Sequence, residues 1–175
     1  MTTELPTTPA SIETPLKQPL SAPETIDVTE DDKLRFFKAF ISDQPFTDSI
    51  SLFDGKVVVE FKVQTREEID DILRQTFLDD KEGITGRKTY DYRLACYRMV
   101  VSIHSVTGFE WTGNKVTKKT HTDENSTYVA ARYDLIKNWN ISKVGSILES
   151  FQRFEKKVFA LEKAVNNQVF WRASK

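Results

Sequence analysis

The chain of 175 residues holds one cysteine, Cys96, so no internal disulfide can form. It holds two histidines, His104 and His121, with no paired spacing. A metal site needs several His, Cys or carboxylate ligands that converge, and this inventory points away from one. Proline is scarce after the N-terminus: Pro6, Pro9, Pro15, Pro19 and Pro23 come early, and Pro45 is the only other. No glycine precedes Gly55, and no aromatic residue precedes Phe36. Charge of one sign is not in excess either, since 25 basic and 26 acidic residues give a formal net charge of −1. A dedicated nucleic-acid binder usually carries a basic excess. No apolar run approaches the ~18 residues of a membrane span, and no charged-then-apolar signal opens the chain. These absences predict a soluble protein that is not exported by a standard route and takes no cofactor and no metal.

Apolar residues supply 39% of the chain, including twelve Phe, which is enough for one sizeable core. Residues 1–28 differ from the rest. Proline, Thr, Ser and Glu dominate there, and such a segment cannot bury enough apolar surface to offset its ordering entropy. We expect an extended arm, with Leu16, Leu20 and Ile26 as the residues that would anchor it on a neighbouring subunit. Residues 29–175 form the α+β domain.

Thr29 followed by Glu30, Asp31 and Asp32 starts a first helix, with Leu34, Phe37 and Ile41 at helical spacing and Pro45 past its end. The clearest local signal follows. Two alternating segments, Phe46 to Phe53 and Lys56 to Gln64, flank Asp54-Gly55, a favoured two-residue hairpin turn. That turn pairs Leu52 with Val57, Ile50 with Val59 and Phe46 with Val63, and puts these residues and Phe61 on one apolar face. Thr65-Arg66-Glu67-Glu68 is a capping box for a second helix with Ile69, Ile72, Leu73 and Phe77 as its apolar stripe. A third, buried helix runs from Arg87 to about Ser105, although Met99 to Val106 is β-branched enough to be a strand. Gly108 to His121 reads as a loop or short hairpin. A fourth helix follows, with Thr122 as a cap and Tyr128, Arg132, Leu135, Ile136 and Trp139 along it.

The last helix is the longest, from about residue 142 to 171. Val144, Ile147, Phe151, Phe154, Val158, Leu161 and Val165 recur at alternating spacings of three and four, a coiled-coil-like seam. The architecture expected is a β-hairpin, extended at most by a short further one, packed on four to five helices.

No nucleophile motif is present, and Cys96 lies between Ala95 and Tyr97 on the buried helix. The carboxylates cluster at helix starts, where the helix dipole accounts for them. This inventory predicts no enzyme. Gly83-Ile84-Thr85-Gly86-Arg87-Lys88-Thr89 fails as a phosphate loop because its glycines are too close. It does contain a G-x-x-G between two helices, as in an RNA backbone clamp. A second basic cluster, Lys115, Lys118 and Lys119, lies near Phe109 and Trp111. An RNA- or single-strand-binding module using Gly83, Gly86, Arg87, Lys88, Lys115, Lys118 and Lys119 is therefore the alternative function.

The layout as a whole resembles another class. A capped helix, an apolar hairpin around Asp54-Gly55, a Tyr-rich helix from Tyr90 to Ile103, and a Phe-rich final helix ending in Phe170-Trp171 follow in order. This resembles small proteins encoded in the tail-assembly modules of tailed bacteriophages, including tail and baseplate assembly chaperones. The resemblance implies a non-catalytic, cofactor-free protein that holds or joins other tail components. Its partners would be other tail or baseplate subunits or further copies of itself, in the host cytoplasm or within the virion. No site carries over residue by residue. The expected contact residues are those of the last helix and the arm: Phe151, Phe154, Val158, Leu161, Phe170, Trp171, Leu16, Leu20 and Ile26.

Overall fold

The sheet is built outward from the Asp54-Gly55 turn. The computed structural model describes residues 26, 28–83, 86–121 and 127–166. Within it, β1 (Thr47–Leu52) and β2 (Val57–Lys62) pair antiparallel, with Leu52 opposite Val57 and Ile50 opposite Val59, the register that the turn predicts. Asp54 and Gly55 both take positive φ, of 56° and 83°, as a mirror-image hairpin turn requires. Val59, Phe61 and Phe46 reach the core.

A third strand, β3 (Ile103–Thr107), joins the other edge of β2 and gives the order β1-β2-β3. The predicted long third helix therefore stops at Ser102, as α3 (Arg87–Ser102), and the β-branched run after it is strand. Glu60 lies opposite Ser105 but Phe61 lies opposite Ile103, so His104 is the extra residue of a β-bulge. Its side chain is exposed, at 54%. The segment after β3 makes no further hairpin; it closes in one short 3-10 turn, Gly113–Lys115. Trp111 packs over Gly113 so closely that a Cβ there would lie 2.1 Å from the indole.

Among the described residues, four further helices belong to the α+β fold: α1 (Glu30–Ile41), α2 (Arg66–Lys81), α4 (Tyr128–Lys137) and α5 (Ile141–Val165). The capping boxes at Thr29 and Thr65 are both formed. The caps of α4 and α5 are Thr127 and Asn140, each later or earlier than the sequence suggests by a few residues; Thr122 lies outside the described residues. On α1 the inward residues are Asp32, Phe36 and Ala39, whereas Leu34 and Ile41 of the predicted stripe are exposed.

α3 is the hub, packed by α2, α4 and α5, and its Cys96, Tyr97, Met99, Val100 and Val101 are fully buried. Arg132 of α4 ties its end to the loop beyond. The buried guanidinium donates to Val100 O and Val101 O at 3.1 Å, and to Gly113 O and Val116 O at 3.0 and 3.2 Å. The last carbonyls of a helix lack partners within it and carry partial negative charge, so a planar cation with five donors suits this position. Burial holds the Arg132 pKa below its usual value, yet the group stays charged at any ordinary pH.

α5 lies across the hairpin. Phe151 and Phe154 meet the Phe61 ring at centroid separations of 5.6 and 5.7 Å. Val144, Ile147, Leu161 and Val165 are buried as well. The seam of the last helix thus closes the chain's own core. At one end Lys157 Nζ lies 2.8 Å from both Asp32 Oδ1 and Asp48 Oδ2, so α1, β1 and α5 share one ion cluster.

This cluster makes a pH prediction. Burial raises the Asp32 pKa, but hydrogen bonds from Lys157 and Thr29 outweigh it and leave it below the usual 3.8. A carboxyl depressed by folding stabilises above its unfolded pKa and loses that contribution as pH falls through the folded value. Burial opposes the Lys157 charge, yet Asp32 and Asp48 hold its pKa above 10.5, so its contribution is present below 10.5 and fades in stronger alkali. The stability gap between wild type and Asp32→Asn, measured by urea unfolding, should be flat from about pH 5 to 9 and close below about pH 4. A gap as large at pH 3 as at pH 7 would contradict the ion cluster.

Candidate protein-interaction surface

Helix α2 is oriented against its hydrophobic pattern. Ile72 is its one buried large apolar residue; the others on that face are Gln75, Thr76 and Asp79. Ile69, Leu73 and Phe77, the remainder of the predicted inward stripe, are 44%, 57% and 58% exposed.

The cause is a buried polar network between α2, α3 and the start of α4. Asp79 Oδ1 accepts from Gln75 Nε2 at 2.8 Å, and Asp79 Oδ2 accepts from Tyr97 Oη at 2.6 Å and Arg93 Nη1 at 3.3 Å. Thr127 Oγ1 donates to Gln75 Oε1 at 2.7 Å. Thr127 also caps α4 by accepting from Ala130 N. Burial, and then the Asp79 carboxylate, push the Tyr97 hydroxyl far above its usual pKa, so it stays a donor. Burial opposes the Arg93 charge, but Asp79 more than compensates and raises its pKa. A carboxylate whose two oxygens are so occupied anchors a helix rather than serving as a base.

At its Ile69 end the exposed stripe meets a groove of about 280 Å³ between α2 and α5. Ile69 lines one side, Arg98 and Ser102 of α3 line another, and Phe154, Val158 and Phe159 of α5 line the third. Phe159 is 58% exposed. Arg98 pairs with Glu155 beside the groove; burial raises the Glu155 pKa and the Arg98 charge partly offsets it. Gln64 bridges β2 to α3 by donating to Arg98 O and Ser102 Oγ at 2.8 and 3.0 Å. The result is an apolar channel with charged margins, a chemistry suited to the side chains of another protein.

The expected contact residues divide. Phe151, Phe154 and Leu161 are at most 3% exposed and fill the core, because the sheet and α3 supply the apolar surface that the seam needs. They are not available to a partner in this fold, which corrects that expectation. Val158 is half-buried and lines the groove. Ile26 is half-buried. Leu16, Leu20, Phe170 and Trp171 lie outside the described residues. The useful outward residues, Leu73 and Phe77, sit on a helix whose stripe looks inward in sequence; the missed signal was an equally regular polar face, Gln75 and Asp79, able to bond across to Tyr97.

The basic residues do not form one surface. Lys118 pairs with Glu67 and Asp71 near the start of α2, whereas Arg87 and Lys88 follow the turn beyond its end. These positions are separated by most of a 16-residue helix, about 24 Å at 1.5 Å per residue. The hydrogen bond from Lys118 depresses the Glu67 pKa, so that lysine already has its anion. Phe109 and Trp111 pack edge-on against Trp139, with centroids 5.2 and 5.7 Å away, instead of standing ready for bases. Lys115 and Lys119 are exposed, Gly83 has a φ of 79°, and Gly86 is the N-cap of α3; Ile84 and Thr85 lie outside the described residues.

Replacing Leu73 or Phe77 with Ser should change the unfolding free energy of dilute protein by less than about 1 kcal/mol, as at other surface sites. Ile72→Ala on the same helix should cost about 2–4 kcal/mol, as for a buried aliphatic residue. Urea titrations in which Leu73→Ser costs as much as Ile72→Ala would show that the stripe is packed. Comparison with protein-family models, with curated proteins and with solved structures finds no match to this chain.

Proposed function

We propose that this chain is a non-catalytic structural or assembly protein whose working surface is the stripe of α2 and the adjoining groove of α5. The observation that carries this reading is the outward stripe of Ile69, Leu73 and Phe77 on a helix that buries Gln75 and Asp79 instead. Three large apolar side chains at successive helical turns are a regular set of anchors for a facing helix or strand. Phe159 and Val158 extend the same surface onto α5.

The kind of partner follows from the resemblance in layout to tail-module proteins of tailed bacteriophages. The reading is then a tail or baseplate component, or a tail assembly chaperone, that holds other tail subunits in the host cytoplasm or stays with them in the virion. Residues of the last helix contribute through Val158 and Phe159, not through the buried Phe151, Phe154 and Leu161. Among the described residues no helix is long and apolar enough to cross a membrane.

A photo-cross-linking residue placed at Leu73 or Phe159, in cells that make the chain and its natural neighbours, tests this. Both sites should give the same adduct, and mass spectrometry should identify it as a structural or assembly subunit. A control at Phe40, 71% exposed on α1, should not give it. No adduct at Leu73 or Phe159, or the same adduct from Phe40, would reject the surface.

A further inference from the structure

The stripe on α2 has a symmetry that an ordinary amphipathic face does not need. Taken from Leu73, its members fall four residues before (Ile69), four after (Phe77), seven before (Arg66) and seven after (Asp80). The spacing reads the same in both directions. At 100° per residue all five lie within about 40° of one line along the helix. The two ends carry opposite charges. Neither Arg66 nor Asp80 makes a salt bridge or side-chain hydrogen bond among the described residues, and both are exposed.

These charges also stand at the wrong ends for the helix itself. Arg66 is the first residue of α2, where the dipole favours acids, and Asp80 is one residue from its end, where it favours bases. Their local effect is unfavourable, so a compensating contact outside the helix gives them a physical role.

We infer that α2 pairs antiparallel with α2 of a second copy of this chain, about a two-fold axis at Leu73. This rests on the proposal above that the stripe is the working surface, and it names the occupant. Leu73 then meets Leu73, and each Ile69 meets the other chain's Phe77. Each Arg66 meets the opposite chain's Asp80, at both ends at once. Asp70 and Arg74 flank the stripe on one side, and the two-fold brings Asp70 of each chain beside Arg74 of the other. An isologous contact of this kind needs one self-complementary patch, and a palindrome with opposite charged ends is such a patch. The pairing surface is one helix about 24 Å long, so the dimer is small and in equilibrium with monomer.

Sedimentation equilibrium of the full chain over a wide concentration range tests this, with three charge variants. Arg66→Glu and Asp80→Arg each place like charges opposite at both ends, and each should weaken the dimer by roughly tenfold or more. The double variant restores opposite charges and should return the affinity to within about threefold of wild type. Both single changes improve the match to the helix dipole. A loss of pairing in either therefore cannot come from a weakened helix, and far-UV circular dichroism will register the helix directly. A wild-type chain that stays monomeric, or a dimer indifferent to both single changes, overturns self-pairing. If that chain still cross-links a different subunit through Leu73, the interaction surface stands and only the second-copy assignment falls. If it cross-links nothing, both fall.

Discussion

The rotation of α2 about its own axis depends on one buried carboxylate. Asp79 is 4% exposed, and a polar group so placed needs hydrogen-bond partners within the protein. Gln75, Tyr97 and Arg93 supply those bonds, and Thr127 extends the set to the start of α4. Turning α2 to bury Leu73 and Phe77 would pull Asp79 from Tyr97 and leave several polar groups unpaired, at about 1–3 kcal/mol each. The apolar stripe stays outside because the polar face is held inside. Sequence pattern, side-chain hydrogen bonding and surface chemistry are thus linked through a single helix.

The rest of the fold gives that helix a fixed platform. α3 is buried on several sides, and Arg132 secures its last carbonyls to the turn around Gly113. α5 covers the hairpin with Phe151 and Phe154 and is held to α1 and β1 through Lys157. With the seam of α5 occupied, its outward contribution is limited to the Val158 and Phe159 edge beside the groove. The candidate surface is therefore formed by two helices that do not pack tightly on each other, with α3 between them.

Much of the fold was legible because local signals agreed with tertiary need. Asp54-Gly55 fixed the hairpin register by itself, and the Thr29 cap and the Thr65 capping box marked where α1 and α2 begin. The α5 seam was legible as a helix; that it faced inward was a matter of what lay opposite, which periodicity does not report. β3 was half-legible: β-branched residues after Met99 suggested a strand, but the break at Ile103 depends on pairing with Phe61, 42 residues earlier. The outward orientation of the α2 stripe was the least legible part. Apolar spacing on α2 reads as a core stripe by default, and only the long-range pairing of Asp79 with Tyr97 and Arg93 reverses it. Likewise the basic cluster near Lys118 reads as unpaired positive charge in sequence, whereas in the fold Lys118 meets Glu67 and Asp71.

The orientation of α2 is the central claim, and thiol accessibility measures it directly. Single cysteines at Leu73 and at Ile72, which is buried but makes no bond in the polar network, report the two faces of the helix in a chain whose own Cys96 is fully buried. In dilute native protein, the cysteine at position 73 should react with a disulfide reagent nearly as fast as in the unfolded chain, while the one at position 72 stays protected. Protection at position 73 with free reaction at position 72 would show the helix turned the other way and would remove the basis for the surface.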